Sequence, residues 1–312
     1  KFFMFDIIKT KQFYMKKLIL SLLTIPIVSF SQPEIGAKKV DRNVIYGMYS
    51  GLALLMDIHY PENPNGIALI HISGSGWNRP LSLSAKPLNH QGHVKLECEG
   101  LLKNGFTIFT INHRATPRFK FPAPIKDAQR AVKFIRYHAE KYNINPDKIG
   151  AIGGSSGGNI VLMLGVLDGK EDEENSDFIN RKSSKVQAVI ARAPVTTFIN
   201  NVSNKRSIYL GVRGNEIIKE QSREYKIAFE ASPISHVSKD DPPVLLMHGD
   251  KDVTVPIFHS LIMLDSLTKH GVESKLIEIK NAKHGPSFKG AINLPDLDSI
   301  RMNWFNKHII EK

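Results

Sequence analysis

Short apolar runs recur along the chain, and each one ends in small or turn-forming residues. Gly66 to Ile72, Ile149 to Ile152, Val186 to Ile190 and Pro243 to Met247 read as strands, because near-continuous apolar runs of this length suit strands covered on both faces. Val272 to Lys280 alternates more and reads as the next strand. Asn159 to Leu167 is apolar all round, the pattern of a buried helix, whereas Val94 to Leu102 is amphipathic. Gly169 to Asn175 is the one sizeable polar tract and reads as a solvated loop. Residues 199 to 230, with Ile208, Leu210, Ile217, Ile218 and Tyr225, predict a small helical cap. No repeat or low-complexity linker divides the 312 residues. One large domain over residues 32–312 follows.

The start of the chain has a different pattern. Met15-Lys16-Lys17 is a basic opening, Leu18 to Val28 an apolar stretch, and Ser29-Phe30-Ser31 places small residues where a signal peptidase reads. Residues 15–31 therefore predict a signal peptide cleaved before Gln32, and a secreted or periplasmic product. The apolar stretch is shorter than the ~20 residues of a membrane span and contains Pro26, which argues against a stable membrane anchor. Residues 1–14 precede Met15 and read as an upstream extension outside the fold. Cys98 is the single cysteine and has no partner for an internal disulfide. Its place in an amphipathic segment predicts a small core residue.

Charge narrows the choice of partners. The chain carries 42 Lys and Arg against 30 Asp and Glu, a net charge of +12, and removing residues 1–31, with five lysines and one aspartate, leaves +8. A basic exported protein is either simply well solvated or drawn to acidic polymers. No basic-aromatic motif or binding module accompanies the charge, so no nucleic-acid partner is expected. Oligomeric state is left open by these patterns.

The chemistry begins where a strand meets a helix. Gly153-Gly154-Ser155-Ser156-Gly157 lies between the run at Ile149 and the helix at Asn159, a G-x-S-x-G stretch that puts Ser155 on a sharp bend. The same pattern fits one register later with Ser156, but the strand would then run through two glycines; Ser155 is favoured. A serine hydroxyl needs a base, and the base needs a carboxylate to fix its tautomer. Both follow in order. Pro243 to Met247 leads into His248-Gly249-Asp250-Lys251-Asp252, and Val272 to Lys280 leads into Asn281-Ala282-Lys283-His284-Gly285. Ser155, Asp252 and His284 are thus the expected catalytic residues. Gly66 to Ile72 ends in Ser73-Gly74-Ser75-Gly76-Trp77, a small-residue turn whose N–H groups at Ser75 and Gly76, with that of Ser156, are expected to form an oxyanion hole. Trp77 is expected to line the substrate pocket as a flat apolar wall, and the Ser75 side chain to crowd its acyl side.

Taken together, these motifs resemble bacterial α/β-hydrolase esterases of the acetylesterase, xylan esterase and feruloyl esterase type, related to hormone-sensitive-lipase-like and prolyl-oligopeptidase-like hydrolases. The similarity extends from Leu54 to Pro61 through Phe121 to Asp127, Asn145 to Ile149, Gly153 to Gly158, Ala231 to Ile234 and Asp241 to Pro243, and ends at His284. It implies a mostly parallel central sheet with helices on both faces, and a serine carboxylic-ester hydrolase needing no cofactor. The implied substrate is a small-molecule or oligosaccharide ester, with short acyl groups such as acetyl or feruloyl. Arg114 and Asp127 occupy the positions of the family's ion pair after the fourth strand. The chain also departs from the family: Ser73 and Ser75 stand where His-Gly-Gly-Gly-Trp has a histidine and a glycine, and Ala191-Arg192-Ala193-Pro194 lacks the usual Asp-Phe-Tyr-Gly character. A positive φ at Ser75 would be strained.

Rival readings remain at this stage. A prolyl-oligopeptidase-like peptidase, an arylformamidase or a non-catalytic protein on the same fold would share much of the pattern. The first would need a propeller-length N-terminal region, and the last would lack a triad residue. His90 and His93 have metal-like spacing but no third ligand, so no metal is expected. His248 is assigned a structural hydrogen bond.

Overall fold

The computed structural model describes residues 35–90, 92–199, 204–212, 220 and 222–311. The leader expected over 15–31 and the preceding segment 1–14 lie outside the described residues.

Eight strands form one sheet in the order β1-β2-β4-β3-β5-β6-β7-β8. β1 (Lys39–Tyr49) and β2 (Leu52–Tyr60) form an antiparallel hairpin, and β2 runs antiparallel to β4 (Thr107–Asn112). From β4 onward the sheet is parallel: β3 (Ala68–Ile72), β5 (Ile149–Gly154), β6 (Ala188–Arg192), β7 (Val244–Gly249) and β8 (Ser274–Ile279). All strands from β3 to β7 except the last residue of β4 are buried throughout, which is why β3, β5, β6 and β7 read as apolar runs, whereas β4, with Thr107, Thr110 and Asn112 among its apolar residues, does not stand out.

Successive side chains point to opposite faces of the sheet, and the core accordingly divides in two. Ile70, Phe109 and Ala151 face one cluster with α2 (Ala123–Tyr137), α3 (Ser156–Val166) and α6 (Phe258–Lys269). Leu69, Ile108 and Ile152 face the other, with α1 (His93–Lys103) and α7 (Leu297–Phe305). This is the expected layered arrangement, with helices on both sides. Cys98 is fully buried in the second cluster, the small core residue its pattern implied. α3 is buried along its whole length and starts three residues before the apolar run that announced it.

The segment read as a cap contains α4 (Asn204–Leu210) and α5 (Arg223–Ala231). Leu210 is buried and Ile208 exposed, while Ile217 and Ile218 lie outside the described residues. The polar tract behaves as expected, with Lys170 to Glu174 exposed.

Candidate active site

β5 ends at Gly154 and α3 begins at Ser156, so the chain reverses at Ser155, whose backbone has φ 56° and ψ −122°. That conformation costs a non-glycine residue on the order of 1–3 kcal/mol, and the surroundings impose it. The Ser155 N–H donates to the Arg192 carbonyl at 2.7 Å, and the Ser155 carbonyl accepts the Asn159 N–H at 3.0 Å. Gly157 packs against β3 so closely that a Cβ there would lie 2.0 Å from the Ile72 oxygen. The small residues of the motif are steric requirements of this crossing.

Ser155, His284 and Asp252 come together from three separate strand ends. His284 Nδ1–H donates to Asp252 Oδ2 at 2.5 Å, leaving Nε2 to accept the Ser155 hydroxyl at 3.0 Å. The other Asp252 oxygen accepts the Thr254 and Val255 N–H groups, each at 2.9 Å. Burial raises the Asp252 carboxyl, but hydrogen bonds from His248, His284 and the Val255 N–H outweigh it and hold its pKa below the usual carboxylate range. Asp250, the alternative acid, instead accepts the Asn281 N–H at 2.6 Å and braces the histidine loop. Ser156 is 1% exposed and directs its hydroxyl elsewhere, so the geometry favours the Ser155 register.

Ser156 Oγ accepts the Ser75 N–H at 2.8 Å. This bond ties the turn after β3 to the start of α3. The Ser156 N–H belongs to the first turn of that helix, where backbone donors have no partner within the helix. Positive φ falls on Gly76 (64°) and Trp77 (55°), not on Ser75, which corrects the strain anticipated there. Ser75 Oγ is buried and has no hydrogen-bond partner among the described residues. Trp77 also differs from expectation. It is 3% exposed, stacked on Tyr209 of α4 at 4.3 Å and packed near Phe198 at 5.4 Å. An indole buried this way anchors the helix above it and offers no open wall to a substrate.

Directly behind the bend lies a polar cluster that no motif of the chain announces. Glu97 of α1 accepts hydrogen bonds from Arg192 Nε at 2.6 Å and His71 Nε2 at 2.9 Å, all three buried. Burial raises the Glu97 carboxyl, but the guanidinium and the histidine outweigh it and keep its pKa well below normal. The Arg192 side chain lies flat beneath the bend: a Cβ on Gly154 would sit 1.9 Å from Nη2. His93 joins the same region, its Nδ1 accepting the Gly74 N–H at 3.2 Å. Burial pushes the His93 pKa down to about 4, so its neutral ring can serve as the acceptor. The signal for this cluster was present as charged or polar residues inside otherwise apolar segments, His71 in β3, Arg192 in β6 and Glu97 on the inner face of α1.

The remaining assignments fall into place around the site. His248 accepts the Ser260 hydroxyl at Nδ1 (2.7 Å) and donates from Nε2 to the Val255 carbonyl at 2.8 Å, the structural role expected of it. Arg114 pairs with Asp127, with a closest approach of 2.6 Å. His90 approaches Asp57 at 3.7 Å, and His93 is the first residue of α1. Among the described residues no group of three or more His, Cys, Asp or Glu side chains is placed to hold a metal ion. Among the same residues no helix is long and apolar enough to cross a membrane.

A profile of the BD-FAE family matches residues 56–267, more than half of the chain. The chain belongs to the BD-FAE family. Its similarity to individual proteins is more distant. It is 28% identical over 224 residues to the esterase LipQ of Mycobacterium tuberculosis, covering 69% of this chain and 49% of that protein. It is 25% identical over 229 residues to an acetylxylan esterase of Xylanibacter ruminicola, covering 73% and 42%. The chain thus spans about half the length of the curated relatives it matches. Among solved structures, a truncated carbohydrate esterase from gut microbiota superposes with a TM-score of 0.73 at 27% identity, covering 89% of this chain and 98% of that one. The α/β-hydrolase fold is shared with such esterases, in agreement with the sheet order and the bend at Ser155.

Proposed function

We propose that this protein is a serine carboxylic-ester hydrolase that works through an acyl-enzyme, with short acyl esters on plant polysaccharides as its substrates. The observation that carries the reading is the continuous hydrogen-bond chain from Ser155 Oγ through His284 to Asp252. In this mechanism His284 Nε2 takes the hydroxyl proton as Ser155 Oγ attacks the ester carbonyl. Asp252 holds the ring in the required tautomer and stabilises the imidazolium. The oxyanion is received by the N–H groups of Gly76 and Ser156, joined by that of Ser75 when it exchanges Ser156 Oγ for the negatively charged oxygen. Collapse expels the alcohol, which takes its proton from Nε2. Water, deprotonated by His284, then releases the acid.

Family membership supports ester hydrolysis, and the likeness to an acetylxylan esterase and a carbohydrate esterase supports a sugar-borne ester. Ser155→Ala is expected to abolish turnover of p-nitrophenyl acetate and labelling by an organophosphonate. Normal labelling of that variant would overturn the assignment. Wild-type hydrolysis of peptide anilides with no ester activity would favour the peptidase reading. Export is part of the same proposal, resting on the sequence of residues 15–31: expression from Met15 in a secreting host is expected to yield a mature N-terminus at Gln32 by intact-mass measurement.

A further inference from the structure

The rim of the sheet holds a second feature besides the Ser155 bend. A pocket of about 430 Å³ is built from the start of β2, the loop continuing from the Ser73–Trp77 turn, and the segment after β4, a volume within the range of small-ligand sites. Strand register places it relative to Ser155. Phe109, Ile70 and Ala151 lie side by side across β4, β3 and β5, so His113 in the pocket wall is level with Ser155, two strands away. At about 4.8 Å per strand, the pocket starts about 10 Å from the bend and reaches about 15 Å at β2. The two are joined by backbone. Thr116 N–H donates to the Trp77 carbonyl at 2.7 Å, and Arg79 N–H to the Thr116 carbonyl at 3.0 Å.

The lining has a one-sided chemistry. Leu54, Leu81 and Phe119 contribute apolar surface, while Arg79, Arg114 and Arg118 contribute positive charge, and no carboxylate lines the pocket. Arg114 is neutralised by Asp127. The Arg79 guanidinium donates a 3.4 Å hydrogen bond to the Ala85 carbonyl, and that of Arg118 sits 5.4 Å from the Phe119 ring. Among the described residues no carboxylate pairs with either. Two guanidiniums beside apolar surface match a ligand that carries a carboxylate on a ring with apolar faces.

We propose that this pocket is a subsite for a uronic-acid unit of the oligosaccharide whose ester group lies at Ser155. The distance of about 10–15 Å requires the acidic unit to lie on the alcohol side, beyond the sugar that carries the acyl group. The inference rests on the esterase reading and names the substrate class for it.

The test uses the full chain carrying Ser155→Ala, which holds an oligosaccharide ester without turning it over, and titrates it calorimetrically with an acetylated oligosaccharide bearing a uronic acid and with its neutral counterpart. The acidic ligand is expected to bind at least about fivefold more tightly, a preference of the size that two partly exposed ion pairs supply. Raising NaCl from about 20 mM to about 300 mM should shrink the preference. Adding Arg79→Gln and Arg118→Gln together should abolish it, and Lys at both positions should retain part of it. Equal binding of the two ligands, no binding of either, or a preference that survives the double Gln substitution would overturn the subsite. Failure of the wild-type protein to hydrolyse p-nitrophenyl acetate is a separate result and would overturn the esterase reading instead.

Discussion

Two carboxylates with basic partners lie beside the strained bend in space, and they serve opposite ends. Asp252 holds His284, whose side chain is 22% exposed and faces Ser155. Glu97 holds Arg192 and His71 in a place sealed from solvent. Both carboxyls are held below their usual pKa against the effect of burial. One pair is open on the side of Ser155, whose proton it takes in the mechanism proposed above. The other has a permanently charged arginine and no access. Its charges are fixed, and the bonds run instead to backbone: Arg192 accepts the Ser155 N–H through its carbonyl, and its guanidinium lies under Gly154. The contrast separates the chemistry from the scaffold that holds it.

The comparison breaks most visibly in activity. Asp252→Asn is expected to lower kcat by about 10³–10⁴-fold, because the amide favours the wrong histidine tautomer, with a much smaller fractional effect on thermal stability from the lost carboxylate bonds. Steady-state kinetics on p-nitrophenyl acetate beside a melting curve would show both; a loss under tenfold would remove Asp252 from the role given to it.

Glu97→Gln should show the reverse ratio of effects. It leaves the Arg192 charge buried without its anionic partner, a change that typically costs about 3–5 kcal/mol, read as a lower urea midpoint. Replacing Arg192 by Met in the same protein should restore part of the loss. If Glu97→Gln leaves the midpoint in place, the cluster is not the brace described.

Acid sharpens the same point. The folded carboxyls of Glu97 and Asp252 lie below their unfolded values, so their stabilisation is complete above an unfolded pKa of about 4 and is lost as pH falls below it. The wild-type urea midpoint should therefore decline between about pH 5 and pH 2.5, and decline less steeply in Glu97→Gln. Parallel slopes would exclude Glu97 as a contributor.

The smallest effect is expected at Asp250, whose carboxylate meets the backbone of the histidine loop and a distant Lys280. Asp250→Asn should reduce kcat/KM by less than about tenfold, since a neutral amide oxygen can still accept the Asn281 N–H. A loss equal to that of Asp252→Asn in a protein of unchanged stability would erase the distinction between the two acids.

Much of this was legible in the chain itself. Strands β3, β5, β6 and β7 are announced by apolar runs because both faces are covered, and the bend at Ser155 by glycines that close crossing demands. The order Ser155, Asp252, His284 and their positions just past strand ends are local facts, and local facts survive in sequence. Trp77 was misjudged for the complementary reason. Whether an indole beside a turn meets solvent or another ring depends on Tyr209, 132 positions away.

By itself, then, the sequence determined the fold class, the place of the strand-to-helix bend and the three residues of the hydrogen-bond chain, since each follows from short-range pattern and chain order. Only the tertiary structure decided that Ser75 donates to Ser156, that Trp77 is covered, that Glu97, His71 and Arg192 form one sealed cluster, and that three arginines share a pocket level with Ser155. Those relations join residues from different strands and helices. No spacing along the chain encodes them, because the distance that sets a hydrogen bond or an ion pair is created only when the sheet brings its strands into register.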